Sequence, residues 1–309
     1  MAFKVGLMGI PNSGKSYSRI FTNGKEGFVI MPDSSDPYLL EDMDTLDKPM
    51  KYQTRVKKFA FKSDTKKSSE MLAYLAKAFN INKDNETATI NEIVRLIVEP
   101  NISDPKVKER VLKFSQTLQY GVNYEGHYIV CPDVTYVKYW CQFIEKYMGH
   151  IKNIFLPDFS HYITNIIATE DFKNKGKTSS GAYGRYTDMA IDTVHTFFTT
   201  NINSLRDDII VVIEFHIEQK EGESSTIFVP SGNMINNTFV PVSYFEVLLL
   251  AYANLGDENM KTRYHFQTQP TVEHKFVRCS VIEEKIIPNN LSTVLEAIRD
   301  NIINRDNNE

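Results

Sequence analysis

The chain has 309 residues, of which 42% are hydrophobic and 12% aromatic, enough for one large domain with a substantial core. Its 35 basic and 39 acidic side chains give a net charge of −4, which excludes a polybasic nucleic-acid coat protein but allows a local basic patch. No apolar run approaches the roughly 20 residues of a membrane span, and the N-terminus lacks a signal-peptide pattern. The widely spaced Cys131, Cys141 and Cys279 indicate reduced thiols in a cytoplasmic protein.

Short apolar runs alternate with helical patterns along most of the chain. Strands are predicted at 3–9, 27–31, 127–131, 153–157, 209–215, 244–252, 263–269 and 276–285. Helices are predicted from Gly14 onward, at 135–149, around 183–200 and at 292–303, with three more inside 66–120. The pattern predicts a single α/β domain over residues 1–309, with a mostly parallel central sheet, a helical insertion at 66–120 and a β-rich C-terminal extension.

The strongest motif follows the first predicted strand. Residues Gly9-Ile10-Pro11-Asn12-Ser13-Gly14-Lys15-Ser16 match the phosphate-loop pattern G-x-x-x-x-G-K-[ST] without a mismatch. In such a loop the backbone N–H groups surround the phosphates, the lysine reaches the β- and γ-phosphates, and the serine hydroxyl binds Mg²⁺. We therefore expect Mg·ATP to bind at this loop and at the following Tyr17.

Polar residues at the ends of other predicted strands supply candidates for the rest of a nucleotide site. Asp158 directly follows the four residues Ile154-Phe155-Leu156-Pro157, as a magnesium-binding acid follows an apolar strand, and is expected to bind Mg²⁺ together with Ser16. His216 follows the apolar strand 209–215 and is expected to sense the terminal phosphate. No second acid follows Asp158, so Asp33 is the first candidate for the carboxylate that polarises water, and Glu214 is a weaker one.

Other classes of phosphate-loop protein fit less well. The only near match to the guanine-specific Asn-Lys-x-Asp motif, Asn82-Lys83-Asp84-Asn85, lacks the final acid, and a transporter-type Ser-Gly-Gly-Gln signature is absent. A nucleotide or nucleoside kinase stays an alternative, although the sparse arginines do not suggest an arginine-rich lid. A structural or packaging component that binds nucleotide without efficient hydrolysis is the second alternative, because the second acid is missing.

Residues 172–187 form a basic segment without any acidic residue. It combines cations with tyrosines that could stack on bases, which is typical of single-stranded DNA binding; the candidates are Lys173, Lys175, Lys177, Tyr183, Arg185 and Tyr186. An ordinary solvated loop is the alternative interpretation. Lys275 and Arg278 have the spacing of a finger that reaches the nucleotide of a neighbouring subunit, although charges on an edge strand would look the same.

Several stretches resemble the RecA-like P-loop ATPases that phages encode for DNA recombination and replication, including the single-strand-annealing group. The stretches are GIPNSGKS (9–16), IFLPDFSHYI (154–163), YGRYTDMA (183–190), LRDDIIVVIEFHIE (205–218), YHFQTQPTVEHKFVR (264–278) and IIPNNLSTVLEAI (286–298). The family often has Asp-Asp-Phe where this chain has Pro157-Asp158-Phe159, and Lys-Ser-Pro where it has Lys275-Phe276-Val277. The resemblance implies a RecA-like fold and ATP-dependent action on single-stranded DNA. It further implies a homo-oligomeric ring or filament in the host cytoplasm, with nucleotide between subunits.

Overall fold

The structure is a computed structural model whose described part includes most of the predicted strands. It describes residues 2–22, 26–32, 92–96, 103–106, 109, 127–131, 134–170, 172–174, 184–218, 224–228, 230, 241–254 and 263–306. Its strands are β1 (Phe3–Gly9), β2 (Gly27–Met31), β3 (His127–Val130), β4 (Asn153–Leu156), β5 (Ile210–Glu218), β6 (Thr226–Ile227), β7 (Val247–Asn254), β8 (Arg263–Gln267) and β9 (Ile286–Pro288).

The helices fall between and after these strands. The α-helices whose two ends the structure describes are α1 (Val134–Tyr147), α2 (Phe159–Ala168), α3 (Gly184–Asp188) and α4 (Leu291–Asp306). The 3₁₀ helices span Ser16–Phe21 and Pro241–Tyr244, and π-helical turns span Met189–His195 and Phe197–Asn201. Within the described residues, no helix is both long and apolar enough to cross a membrane.

The strands form a mixed sheet that is mostly parallel. Its order is β3-β2-β4-β5-β1-β7-β8-β9, with the short β6 paired to β5. All neighbours from β3 to β7 run parallel, and β8 and β9 add antiparallel pairs at one edge. The predicted α/β class with a mostly parallel sheet is therefore confirmed. At the centre, β1 lies between β5 and β7, so the residues after β1 emerge beside the end of β5.

Both faces of the sheet are buried, which explains the continuous apolar runs in the central strands. Val211, Ile213 and Phe215 of β5 pack on the face covered by α1 and α2, whereas Ile210 and Val212 pack on the face covered by α4. One polar side chain interrupts this run on the α4 face, because Glu214 is only 2% exposed. A buried acid at this place requires a partner.

Three segments differ from their predicted form. The strand expected at 276–285 is absent; β9 forms later, and Arg278 makes only an isolated bridge to Leu248 because β7 is already paired with β8 from Leu250 to Asn254. The helix expected from Gly14 is a short 3₁₀ helix that ends where the Thr22 backbone and hydroxyl groups both donate to the Arg19 carbonyl. The helix expected around 183–200 is α3 followed by π-helical turns.

The insertion predicted at 66–120 lies almost entirely outside the described residues. Residues 92–96 within it are helical, as expected there. Ile93 and Val94 are fully buried in the same core as Trp140 of α1, and the Tyr136 hydroxyl donates to Glu92 at 3.3 Å. This short piece of the insertion is therefore packed into the domain.

Candidate functional site

Residues Gly9–Ser16, which we call the motif loop, begin at the last residue of β1, at the carboxyl edge of the parallel strands. The loop turns through two positive φ angles, 62° at Asn12 and 91° at Gly14. A side chain at Gly14 would also collide with its neighbour, since a Cβ there would lie 2.6 Å from Cδ1 of Tyr264. Glycine is required at this position by both backbone conformation and space.

The Lys15 side chain is folded into the loop. Its Nζ donates to the carbonyl oxygens of Gly9 at 2.8 Å and Ile10 at 2.9 Å, and the residue is 7% exposed. Burial brings the pKa of the Lys15 ammonium below its ordinary value, while the charges of Glu214 and Asp158 act in the opposite direction. The loop therefore holds a partly desolvated ammonium that two carboxylates influence through their charges.

Ser16 begins a chain of polar contacts that leads into the protein. Its hydroxyl donates to Glu214 Oε2 at 3.3 Å, and Arg19 Nη1 donates to the other carboxylate oxygen, Oε1. Arg19 is 0% exposed, so this is a buried ion pair between residues 195 positions apart in the chain. The hydroxyl expected to bind Mg²⁺ is thus held by the one buried acid of β5.

Asp158, which lies just beyond the end of β4, meets His216, which lies within the neighbouring strand β5 two residues before its end. Asp158 lies just beyond Pro157, in a left-handed conformation with φ 47° and ψ 59°. Its Oδ2 is 3.5 Å from Nε2 of His216. Burial alone would raise the pKa of the Asp158 carboxyl, but the hydrogen bond and charge of His216, with a contribution from His161, bring it below its usual range. Asp158 is therefore an anion at neutral pH.

These groups line one cleft of about 440 Å³. Its lining consists of residues 11–17, Arg19, Met31, Pro32, Pro157, Asp158, Glu214, His216 and Tyr264. The predicted loop residues Pro11, Asn12, Ser13, Gly14, Lys15, Ser16 and Tyr17 are thus found together with Asp158 and His216. Asp33 lies outside the described residues, although Pro32, directly before it, lines the cleft.

Sequence reasoning missed Arg19 and Tyr264. Burial, with a smaller contribution from Tyr264, raises the pKa of Tyr17 to about 12, and the two rings lie 5.5 Å apart. Tyr264 is on β8, two strands from β1, so its position depends on the order of the sheet. A signal for Arg19 was present, because Glu214 inside an apolar run calls for a buried cation.

The cleft fits a magnesium-bound phosphate group. Ser13 Oγ and Asp158 Oδ1 are buried and have no hydrogen-bond partner among the described residues, so each is left with unused bonding capacity. The described residues contain no cluster of three or more His, Cys, Asp or Glu side chains suited to a metal ion. Mg²⁺ with a nucleotide does not need one, since it usually takes one or two protein oxygens along with phosphates and water.

The basic segment is only partly described. Lys173 is exposed and lies 3.4 Å from the Glu170 carboxylate. Arg185 instead binds its own chain: Nη1 donates to the carbonyls of Phe172 and Lys173 at 3.1 and 3.2 Å, and the guanidinium lies 4.9 Å from the centre of the Phe172 ring. Tyr186 packs edge-on against Phe172. Lys175, Lys177 and Tyr183 lie outside the described residues.

The two residues expected to form a finger differ in their surroundings. Lys275 is exposed, whereas the Arg278 side chain donates to the carbonyls of Val242, at 2.6 Å, and Phe245. Both carbonyls precede β7, at the opposite end of that strand from the motif loop. The Arg278 guanidinium thus binds the segment before β7 in its own chain.

Comparison with protein-family models finds no match for this chain, and comparison with curated proteins finds none either. The chemistry of the cleft therefore carries the assignment of function.

Proposed function

We propose that the chain binds Mg·ATP at the motif loop and hydrolyses it, as a RecA-like P-loop ATPase acting on single-stranded DNA. One observation carries the proposal: the Lys15 ammonium, the Ser16 hydroxyl and the Asp158 carboxylate line a single cleft at the carboxyl edge of parallel strands. In open α/β sheets this edge is where ligands bind. A cation, a hydroxyl and an acid are the groups that phosphoryl transfer requires from the protein.

Each residue has a defined task in this proposal. Backbone N–H groups of the motif loop surround the phosphates, and the Lys15 ammonium leaves the Gly9 and Ile10 carbonyls to pair with phosphate oxygens. Ser16 and Asp158 would hold Mg²⁺, which when bound offsets phosphate charge. Asp33 is the proposed carboxylate for the attacking water, because both oxygens of Glu214 are already engaged.

His216 is proposed to pass the state of the phosphates to the next segment of the chain. It contacts Asp158 on one side, and its own carbonyl accepts a 2.8 Å hydrogen bond from the backbone of Phe228. The Phe228 carbonyl in turn accepts the Ser160 hydroxyl at 3.0 Å. A shift of Asp158 on phosphate release would therefore reach residues 224–228 through direct contacts.

Single-stranded DNA is the proposed partner of the basic segment. Because Arg185 is engaged with backbone carbonyls, we assign the phosphate contacts to Lys173, Lys175 and Lys177. The exposed pair of Lys173 with Glu170 is weak and readily exchanged for a DNA phosphate. A phage-encoded ring or filament in the host cytoplasm would repeat this patch along the DNA and raise its avidity.

The test is ATP hydrolysis by the full chain, with and without single-stranded DNA. We expect DNA to stimulate turnover, and Lys15→Ala to lower it by about 100-fold or more, as expected for loss of a group that stabilises transition-state charge. Lys285→Ala removes an equal charge from an exposed site outside the cleft and should leave turnover unchanged. Binding without turnover would favour the structural nucleotide-binding alternative, and transfer of phosphate to a small acceptor would favour a kinase.

A further inference from the structure

The buried pair Arg19–Glu214 has no direct task in phosphate binding, yet it lies against the Ser16 hydroxyl. Arg19 is 0% and Glu214 2% exposed, so two charges have been taken out of water next to the cleft. A buried ion pair often contributes little net stability compared with apolar residues of similar size. Its position beside the cleft therefore calls for another explanation.

The direction of the hydrogen bond between Ser16 and Glu214 suggests what the buried pair does. A serine hydroxyl has one proton to donate and lone pairs to offer, and Ser16 donates its proton to Glu214 Oε2. A hydroxyl whose proton is fixed in this way presents its lone pairs elsewhere. The Arg19 guanidinium holds the other oxygen, Oε1, and so fixes the carboxylate in place.

We infer that Glu214 is a positioning residue that orients the Ser16 hydroxyl toward the divalent cation, and that Arg19 holds Glu214 in place for this purpose. The inference rests on the proposed function, since it concerns the Mg²⁺ of the bound nucleotide. Glu214, on β5, would then contribute to Mg²⁺ affinity independently of Asp158. Loss of an orienting partner of a metal ligand typically lowers metal affinity by about 10–100-fold.

Two double variants separate the hydrogen bond from the charges. Arg19→Met/Glu214→Leu and Arg19→Met/Glu214→Gln both remove the same two charges, so neither leaves a buried ion unpaired. Only the glutamine variant keeps an oxygen that can accept the Ser16 proton. Thermal melting of both variants checks that they fold before any binding is measured.

The readout is the gain in ADP affinity that Mg²⁺ provides, measured by calorimetry in Mg²⁺ and in EDTA. In EDTA we expect the two variants to bind ADP equally well, because both have lost the same two charges from the cleft. We expect the gain in ADP affinity from Mg²⁺ to be about 10-fold smaller in the leucine variant than in the wild type. The glutamine variant should retain most of this gain. A purely structural role for Glu214 would change affinity equally in the two buffers.

The outcomes distinguish the inference from the proposed function. Equal Mg²⁺ gains in the leucine and glutamine variants would overturn the inference alone. A wild type that binds no ADP in either buffer would overturn both. If the leucine variant does not melt cooperatively, Glu214→Asp takes its place, because it keeps the charge opposite Arg19 but shortens the reach to Ser16. An unchanged Mg²⁺ gain in that variant would likewise count against the inference.

Discussion

The ring of Tyr264 lies against the α-carbon of Gly14, so close that a Cβ on this glycine would be 2.6 Å from the ring atom Cδ1. The contact joins β8, at the antiparallel edge of the sheet, to the loop that follows the central strand β1. Tyr264 also packs on Tyr17, whose ring centre is 5.5 Å away. The motif loop is thus held by contacts with Tyr264 of β8 as well as by its own hydrogen bonds.

Replacing Gly14 by alanine should therefore damage the loop. The φ of 91° and the collision with Tyr264 are both unfavourable for a side chain, and we expect a loss of about 1–3 kcal/mol in unfolding free energy, together with weaker ADP binding. Denaturant unfolding and calorimetry would measure the two effects. Gly149→Ala is the matched control, because a Cβ there has no atom within 4 Å. Equal behaviour of the two variants would contradict the expectation.

The buried ion pair Arg19–Glu214 should make the free energy of unfolding sensitive to the loss of one partner. Arg19→Met alone leaves the Glu214 carboxylate buried without its guanidinium, and we expect a loss of about 3–5 kcal/mol in unfolding free energy. The double variant Arg19→Met/Glu214→Leu should recover most of this loss, since it leaves no buried charge. Denaturant unfolding of the two variants provides the measurement, and equal losses would show that the pair is not coupled in this way.

Asp158 should make stability depend on pH in the acid range. Its pKa is lower in the folded state than in the unfolded chain, so its ionised form stabilises the fold above the unfolded value, and this contribution is lost as pH falls through the folded value. Asp158→Asn should thus be less stable than the wild type at pH 6, with a difference that shrinks below about pH 4. Unfolding free energies measured from pH 6 to acid pH would test this, and a constant difference would contradict it.

In the basic segment, Lys173 should bind DNA phosphate, whereas Arg185 should stabilise the fold. Lys173→Ala is expected to weaken single-stranded DNA binding and to reduce the slope of log affinity against log salt by about 0.7, as for one lost phosphate contact, without changing the melting temperature. Arg185→Met should instead lower the melting temperature, because it removes the bonds to the carbonyls of Phe172 and Lys173. Salt titrations and thermal melts distinguish the two. Similar effects from both substitutions would contradict the division.

Local sequence patterns predicted the motif loop, Asp158 and His216, but not the pairing of Arg19 with Glu214. The motif loop is contiguous in sequence, and Asp158 and His216 follow the predicted strands 153–157 and 209–215, whose carboxyl ends share one edge of a parallel sheet. All three could therefore be proposed without coordinates. Arg19 and Glu214 are 195 positions apart, and their pairing depends on which face of β5 meets the helix after the loop. The position of Glu214 inside an apolar run indicates that a buried cation is needed, but no local pattern shows that this cation is Arg19.

The C-terminal region shows the same limit for the fold. Val277 and Cys279 are buried and Arg278 between them is exposed, which is the alternation of a strand. Pairing nevertheless depends on a free strand edge, and β7 is already paired with β8 from Leu250 to Asn254. The prediction of a strand at 276–285 was wrong because alternation reports burial on one side and does not report the availability of hydrogen-bond partners.

The burial of Ile93 and Val94 in the core that also contains Trp140 has a consequence for protein engineering. Burying an aliphatic side chain of this size typically contributes about 1.5–3 kcal/mol, so the two together represent a substantial fraction of the stability of an ordinary domain. Residues 66–120 therefore cannot be excised as a neutral cassette. A shortened chain would have to refill the volume of these two side chains over α1 before it could serve as a minimal version of the protein.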